Sequence, residues 1–204
     1  MTVNTPPRLA VAVLAAGAGR RLGIIKPLAM LAGQTLLRRT AETVRQLPHA
    51  DPFLVVGAQA TIVLASEDAR GLGVIANPDW QEGMAASLRR AVQHLSTYPG
   101  ILFIAIDQPL VRAPQLLQLA NLWRQHPDRK VAAHYGGRPG IPAIFPRRCY
   151  GALAALHGDI GAKSLLRDPA DPPLTLAIPE AAADVDTPAA LRQIETVLRQ
   201  RDNG

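Results

Sequence analysis

The sequence contains little cysteine and few aromatic residues. Cys149 is the single cysteine among 204 residues, which excludes both an intrachain disulfide and a thiolate metal cage. Aromatic residues make up 4% of the chain and the basic residues are scattered, whereas a nucleic-acid groove usually combines clustered Lys and Arg with stacking aromatics. We therefore expect no nucleic-acid partner. The net charge of +6 is better suited to small phosphorylated substrates.

Long hydrophobic runs are also missing. The longest apolar runs, at 9–16 and 101–106, are far shorter than the roughly 18 to 20 residues needed to span a bilayer. Residues 1–8 lack the basic segment, apolar core and cleavage site of a secretory signal. On these grounds we expect a cytoplasmic protein with no membrane partner.

Short apolar runs alternate with segments of helical periodicity. A chain of 204 residues with 48% hydrophobic content can bury one sizeable core, so we expect a single domain over residues 1–204. The predicted strands lie at 9–14, 53–56, 74–75, 101–106 and 174–178. The predicted helices lie at 35–47, 60–69, 84–95, 147–156 and 188–199, and two more begin at 114 and near 161. This alternation is typical of an α/β fold, a doubly wound and mostly parallel sheet that is covered on both faces.

One stretch breaks the alternation. Between residues 131 and 145, two short apolar pieces flank the turn Gly136-Gly137-Arg138-Pro139-Gly140. Such a pattern predicts a small hairpin or lid insertion near the edge of the sheet.

A phosphate-binding loop is predicted directly after the first strand, where open α/β sheets bind ligands. Residues 14–27 have the sequence Leu-Ala-Ala-Gly-Ala-Gly-Arg-Arg-Leu-Gly-Ile-Ile-Lys-Pro. Small residues allow the backbone amides of 15–23 to approach an anion, and Arg21 and Lys26 add positive charge. Lys26, as a loop residue, is expected to be exposed. The alternative is a Gly-rich turn whose Arg and Lys are solvated.

The spacing in this loop excludes two common phosphate-binding motifs. A Walker A loop ends in Gly-Lys-Ser/Thr, but Lys26 is followed by proline. In the dinucleotide fingerprint G-x-G-x-x-G, the third glycine would come one place late, at Gly23. The predicted strand at 53–56 also lacks the acidic residue at its end that would hold a ribose.

Asp107 follows the apolar run 101–106 and therefore lies at the carboxyl end of a predicted strand. Mg²⁺ prefers oxygen ligands and often takes one or two protein carboxylates together with substrate phosphate oxygens. A metal site is the favoured interpretation of Asp107. The alternative is a helix N-cap, because Pro109 and Pro114 are compatible with a helix start nearby.

The loop resembles the signature of nucleotidyltransferases that have a molybdenum cofactor guanylyl- or cytidylyltransferase-like domain. The matching residues are Leu-Ala-Ala-Gly at 14–17, Arg21-Leu22-Gly23 and Lys26-Pro27, and the resemblance extends over about 9–191. Gly19 stands where many members have serine. The resemblance implies a Rossmann-like nucleotidyltransferase fold and catalytic roles for Arg21 and Lys26. It also implies nucleotide contacts at Leu14, Ala15, Ala16 and Gly17.

Other segments resemble the family in the same order. Residues 77–88 resemble the segment that precedes a helix facing the nucleotide, which implies further contacts at Gly83 and Ser87. The family's metal-binding aspartate falls on Asp107, and its closing motif falls on Asp184-Val185-Asp186-Thr187-Pro188. This implies a metal-binding role for Asp186 and, less strongly, for Asp184. The alternative for the closing motif is again helix capping.

The resemblance implies that an NTP donates a nucleoside monophosphate to a phosphorylated acceptor, possibly a molybdopterin cofactor, with Mg²⁺ present and pyrophosphate leaving. CTP is favoured over GTP, because the methyl group of Ala16 leaves less room than glycine would. Residues 158–163 resemble a family segment on the acceptor side, and 137–142 resemble the segment just upstream. Ile141 replaces a histidine that is common among cytidylyltransferases, so the acceptor stays open.

Three alternatives to this function remain. The first is a sugar-phosphate or methylerythritol-phosphate nucleotidyltransferase, because these enzymes use the same first loop. The second is a nucleotide-binding module without turnover, which would not need a metal carboxylate. The third is a dinucleotide-dependent oxidoreductase, which the late glycine and the missing ribose acid disfavour.

Overall fold

The computed structural model describes residues 6–202, and its main feature is a seven-stranded sheet. The strands are β1 (Leu9–Ala15), β2 (Met30–Leu31), β3 (Gln34–Thr35), β4 (Ala50–Val56), β5 (Gly73–Ala76), β6 (Gly100–Ala105), β7 (Val131–Tyr135), β8 (Arg138–Pro146) and β9 (Leu174–Ala177). The α-helices are α1 (Leu36–Arg45), α2 (Ala60–Ala65), α3 (Met84–His94), α4 (Ala113–Gln125), α5 (Tyr150–Ala154), α6 (Lys163–Leu166) and α7 (Pro188–Asp202). Short 3₁₀ turns lie at Lys26–Leu28, Glu67–Ala69, Trp80–Glu82, Arg147–Cys149 and Pro179–Ala182.

The strand order of the sheet is β5-β4-β1-β6-β8-β7-β9, and β2 pairs with β3 separately. The pairs β5-β4, β4-β1, β1-β6 and β7-β9 are parallel, and β8 is antiparallel to both of its neighbours. The chain builds outward from β1 to β4 and β5 and then returns to place β6 on the other side of β1. The order therefore reverses between β1 and β6, and this is the kind of point where α/β sheets bind ligands.

Helices cover both faces of the sheet. The side chains of β1 alternate between two apolar clusters, one on each face. Leu9, Val11 and Val13 pack on the side of α1, α4 and α7. Ala10, Ala12 and Leu14 pack on the side of α3 and α5. A strand that is buried on both faces has the continuous apolar sequence seen at residues 9–15, and every residue of β1 is buried.

The observed elements confirm the predicted α/β fold with a mostly parallel, doubly wound sheet. The predicted hairpin is present as β7 and β8, but the prediction of a lid insertion is wrong, because β8 also pairs with β6 and β7 with β9 inside the sheet. The helix predicted over 60–69 is divided, since α2 ends at Ala65 and a 3₁₀ turn follows. None of the helices in the described part of the chain is both long and apolar enough to cross a bilayer.

Gly100 gives a test of how closely the sheet and α4 pack. A Cβ added at Gly100 would lie 2.6 Å from Cζ2 of Trp123, which is fully buried. We expect Gly100→Ala to lower the free energy of unfolding by about 1–3 kcal/mol, because neither strand nor ring can move freely. Urea denaturation measures the change.

Gly151→Ala is the matched control for Gly100→Ala. Gly151 lies in α5, and an added Cβ would meet no atom within 4 Å. The methyl group at this helical position should stabilise the protein by about 0.5–1 kcal/mol. Equal effects of the two substitutions would contradict the close contact between Gly100 and Trp123.

Candidate active site

A cleft of about 630 Å³ opens at the carboxyl ends of β1 and β6, beside the point where the strand order reverses. All ten residues that the sequence marks as site candidates line it. They are Leu14, Ala15, Ala16, Gly17, Arg21, Lys26, Gly83, Ser87, Asp107 and Asp186.

The loop after β1 forms one wall of the cleft. The amides of Leu22 and Gly23 both donate to the carbonyl of Gly19, at 3.0 and 3.2 Å. The expectation that all amides of 15–23 face an anion is therefore wrong for these two, because they close the turn. Within residues 6–202, the amides of 17–21 have no backbone acceptor, so this part of the loop can bind an anion.

Lys26 lies at the centre of the site and bonds to two carboxylates. Its Nζ is 2.9 Å from Oδ2 of Asp107 and 2.6 Å from Oδ1 of Asp186. Only 14% of its side chain is exposed. The expectation that Lys26 is an exposed loop residue is therefore wrong, because the two carboxylates hold it inside the cleft.

Arg21 adds a second cation to the same cluster. Its Nη2 donates to Oδ2 of Asp186 at 2.8 Å, while 74% of its side chain remains exposed. Exposed ion pairs contribute little to stability. Arg21 can therefore exchange Asp186 for an anionic ligand at small cost.

The pKa values of the cluster reflect these contacts. Desolvation lowers the pKa of Lys26, but the charges and hydrogen bonds of Asp107 and Asp186 together outweigh it, and the net pKa is raised. The hydrogen bond from Lys26 is the largest cause of the lowered pKa of Asp186, and Arg21 adds to it. Lys26 therefore stays protonated and Asp186 ionised at neutral pH.

Both aspartates are free of the capping roles that were their alternatives. The closing helix α7 begins at Pro188, and its cap is Thr187, whose Oγ1 accepts the amide of Ala190 at 3.2 Å. The next helix after Asp107, α4, begins only at Ala113. Among the residues that the structure describes, the side chain of Asp107 bonds to Lys26 alone.

Asp184 has a different environment from Asp186. It is exposed and does not line the cleft that holds Lys26. Its pKa is raised to about 6, first by desolvation and then by the charges of Asp107 and Asp186. Asp184 has no side-chain hydrogen bond within the described range, whereas Asp186 bonds to both cations.

Gln108 holds the segment that carries Asp186, a role that no sequence motif indicated. Its Nε2 donates to the carbonyls of Ala181, at 2.7 Å, and Ile141, at 3.1 Å. The backbone adds another link, because the amide of Val185 donates to the carbonyl of Asp107 at 2.8 Å. These bonds join the end of β6 to the segment before α7.

The opposite wall comes from the start of α3. Gly83 has φ +119°, and a Cβ there would lie 2.3 Å from Oδ1 of Asp159, so the position needs glycine. Ser87 is buried and accepts a hydrogen bond from Nδ2 of Asn77 at 3.0 Å. Trp80 also lines the cleft, although no sequence motif singled it out.

The acceptor-side segments are only partly at the cleft. Asp159 and Lys163 line it, but no residue of 137–142 does. Most of that second segment belongs to β8, where the carbonyl of Ile141 accepts from Gln108 and Tyr135. Residues 138–142 are therefore part of the sheet, and their relation to the acceptor stays a prediction.

The donor set of the cleft suits a hard divalent cation. Asp107 and Asp186 bond to the same nitrogen of Lys26, so one cation could reach both carboxylates. No group of three or more His, Cys, Asp or Glu side chains within residues 6–202 forms a complete metal cage. Two carboxylates with room for phosphate oxygens match the way in which Mg²⁺ is usually held.

Comparisons with known proteins identify the family of this chain. Residues 11–174 match the family model of the MobA-like NTP transferase domain. The chain is 32% identical to nicotine blue oxidoreductase of Paenarthrobacter nicotinovorans over 76% of this chain and 79% of that protein. It is also 32% identical to the bifunctional protein GlmU of Gloeobacter violaceus, over 57% of this chain and 26% of that longer protein.

Solved structures of similar proteins include Rv0371c from Mycobacterium tuberculosis H37Rv. Its crystal structure has a TM-score of 0.83 and 31% identity, covering 94% of this chain and 99% of that one. A complex of the same protein with manganese has a TM-score of 0.79 and 28% identity, covering 94% and 100%. With the family model matched over most of its length, the chain belongs to the MobA-like NTP transferase domain family of nucleotidyltransferases.

Proposed function

We propose that this protein transfers a nucleoside monophosphate from an NTP, with CTP favoured over GTP, to a phosphorylated acceptor and releases pyrophosphate. A molybdopterin-type cofactor is the acceptor that the family resemblance favours. The observation that carries the proposal is the group of Lys26, Asp107 and Asp186 at the cleft below the loop after β1. This group supplies a fixed cation for phosphate oxygens and two carboxylates for a divalent ion.

In the proposed reaction an oxygen of the acceptor phosphate forms a bond to the α-phosphorus of the NTP. The bond from that phosphorus to the α-β bridging oxygen breaks, and pyrophosphate leaves. A phosphate nucleophile is already ionised, so no general base is needed, and catalysis depends on position and charge.

The side chains of the cleft have separate roles in this proposal. The amides of 17–21 bind the phosphates, while Lys26 and Arg21 neutralise the charge that develops on them. Asp107 and Asp186 hold Mg²⁺, which supplies Lewis-acid polarisation of the phosphate oxygens when bound. Lys163 also lines the cleft, and in this proposal it meets the acceptor phosphate.

The relatives suggest two other activities. The match to GlmU covers 26% of that longer protein. A sugar-phosphate acceptor is the nearest alternative to a molybdopterin-type acceptor. One relative is named an oxidoreductase. Against that activity here, β4 ends at Val56 and Gly57 follows, so the ribose carboxylate of a dinucleotide site is missing.

The first prediction concerns Lys26→Met, which keeps much of the aliphatic stem but removes the charge. Loss of one transition-state contact should cost roughly 2–4 kcal/mol, or about 30- to 1,000-fold in pyrophosphate release. The melting temperature should also fall, since Asp107 and Asp186 lose their shared cation. Arg70→Met, which removes an exposed cation paired only with Glu67, is the control. Activity within a few-fold of the wild type would exclude the proposed role.

The second prediction concerns Asp107→Asn. Asparagine keeps the size and one carbonyl oxygen, so the fold should persist, but a site that offers two carboxylates loses half of its charge. We expect Mg²⁺-dependent pyrophosphate release to fall by about 100-fold or more. Circular dichroism checks the fold, and Asp128→Asn on the exposed surface is the matched control. Unchanged activity with an unchanged Mg²⁺ dependence would show that Asp107 does not hold the metal.

The third prediction concerns the nucleotide. Ala16 lines the cleft, and its methyl group would leave less room for a base than glycine would. Among CTP, GTP, UTP, ATP and NADPH with Mg²⁺, CTP should raise the melting temperature most. A larger shift with GTP would refute the pyrimidine preference alone. A rise in melting temperature with NADPH, and none with any triphosphate, would refute the proposed nucleotidyltransferase activity.

A further inference from the structure

Two buried polar side chains form a pair at the wall of the cleft. Asn77 follows β5 and Ser87 lies in the first turn of α3; they are 1% and 4% exposed. Nδ2 of Asn77 donates to Oγ of Ser87 at 3.0 Å. Ser87 also lines the cleft, whereas Asn77 lies behind it.

The orientation of the Asn77 amide is determined by its other contacts. Its Oδ1 accepts the backbone amide of Asp79 at 3.1 Å. Its own backbone amide donates to the carbonyl of Val56 at 2.7 Å and anchors the residue to β4. With Oδ1 used by a donor, the NH₂ group has to face Ser87.

This orientation decides where the proton of Ser87 points. A serine hydroxyl has one donor and two lone pairs, and here a lone pair is used by Asn77. A serine in a helix often donates to the carbonyl four residues earlier. Within residues 6–202 the Ser87 hydroxyl donates to no acceptor, so its proton is available to a ligand in the cleft.

The strand order indicates which part of a nucleotide reaches Ser87. Asn77 follows β5 and Asp107 follows β6, and these strands are three positions apart in the sheet. Neighbouring strands lie about 4.8 Å apart, so roughly 14 Å separates the two ends of the site. With the phosphates beside Lys26 and Asp107, Ser87 is at the end where the base would lie, and it lines the same cleft as Ala16 and Trp80.

We propose that Asn77 is a positioning residue, which turns the Ser87 hydroxyl into a donor for a carbonyl oxygen or ring nitrogen of the nucleobase. This inference rests on the proposed nucleotidyl transfer. Asn77 itself does not touch the ligand, and it acts by occupying the lone pair of Ser87.

Asn77→Asp tests the inference with almost no change in shape. One carboxylate oxygen still accepts the amide of Asp79, but the other is now an acceptor that faces Ser87. The hydroxyl then donates to the carboxylate and is withdrawn from the cleft. We expect the affinity for Mg²⁺-CTP to fall roughly 3- to 10-fold, the effect of one net hydrogen bond, and the affinity for Mg²⁺-tripolyphosphate, which has no base, to stay unchanged.

Ser87→Ala should have the same effect as Asn77→Asp, and the double variant should lose no more than either single variant, because both remove the same donor. If the buried carboxylate of Asn77→Asp prevents folding, Asn77→Ala replaces it in the test. This variant leaves the Ser87 hydroxyl free to turn toward the helix backbone. Asn121→Asp, an isosteric change at an exposed position of α4, is the control and should bind both ligands like the wild type. Isothermal titration calorimetry measures each affinity.

The outcomes separate the two proposals. If the folded Asn77 variants bind CTP like the wild type, or lose CTP and tripolyphosphate equally, the positioning role is wrong. It is also wrong if neither Asn77 variant folds, because Asn77 is then a structural residue. If the wild type binds no triphosphate and releases no pyrophosphate, the nucleotidyl transfer itself is wrong.

Discussion

The site depends on one ammonium group, Nζ of Lys26, which bonds to carboxylates from two distant parts of the chain. Asp107 is 81 residues away along the sequence and Asp186 is 160. Two carboxylates at such close quarters repel each other, and a shared cation removes that repulsion. The same arrangement of charges suits a divalent ion and phosphate oxygens, so the contacts that hold the loop, the end of β6 and the start of α7 together also prepare the site for its ligands.

The sheet brings these parts together because of its strand order. β6 returns to the side of β1 opposite β4, so the loop after β1 and the carboxylate after β6 leave the same edge side by side. The segment before α7 reaches this edge through the bonds of Gln108 and the backbone of Asp107. A buried amide with several backbone partners is costly to move, which gives the most distant carboxylate a defined position.

The role of each polar residue depends on which hydrogen bonds its neighbours have already taken. Thr187 caps α7 and leaves Asp186 for the cations. Asp79 takes the Oδ1 of Asn77 and leaves its amide for Ser87. Leu22 and Gly23 close the loop after β1 and leave the earlier amides for an anion. In each case the group that faces the cleft is the one that the local structure does not use.

Patterns in the sequence were enough to predict the α/β class, most of the strands and helices, and ten of the residues that line the cleft. Short-range patterns carry this information, because strand and helix periodicity and the turn after β1 involve neighbouring residues. The folded structure alone showed that Lys26 lies partly buried between two carboxylates, that Asp186 rather than Asp184 bonds to it, and that residues 138–142 belong to the sheet. It also decided the role of Gln108, which has no motif of its own. These features depend on contacts between residues far apart in the chain, and sequence spacing cannot specify which polar group is left unpaired once the fold has formed.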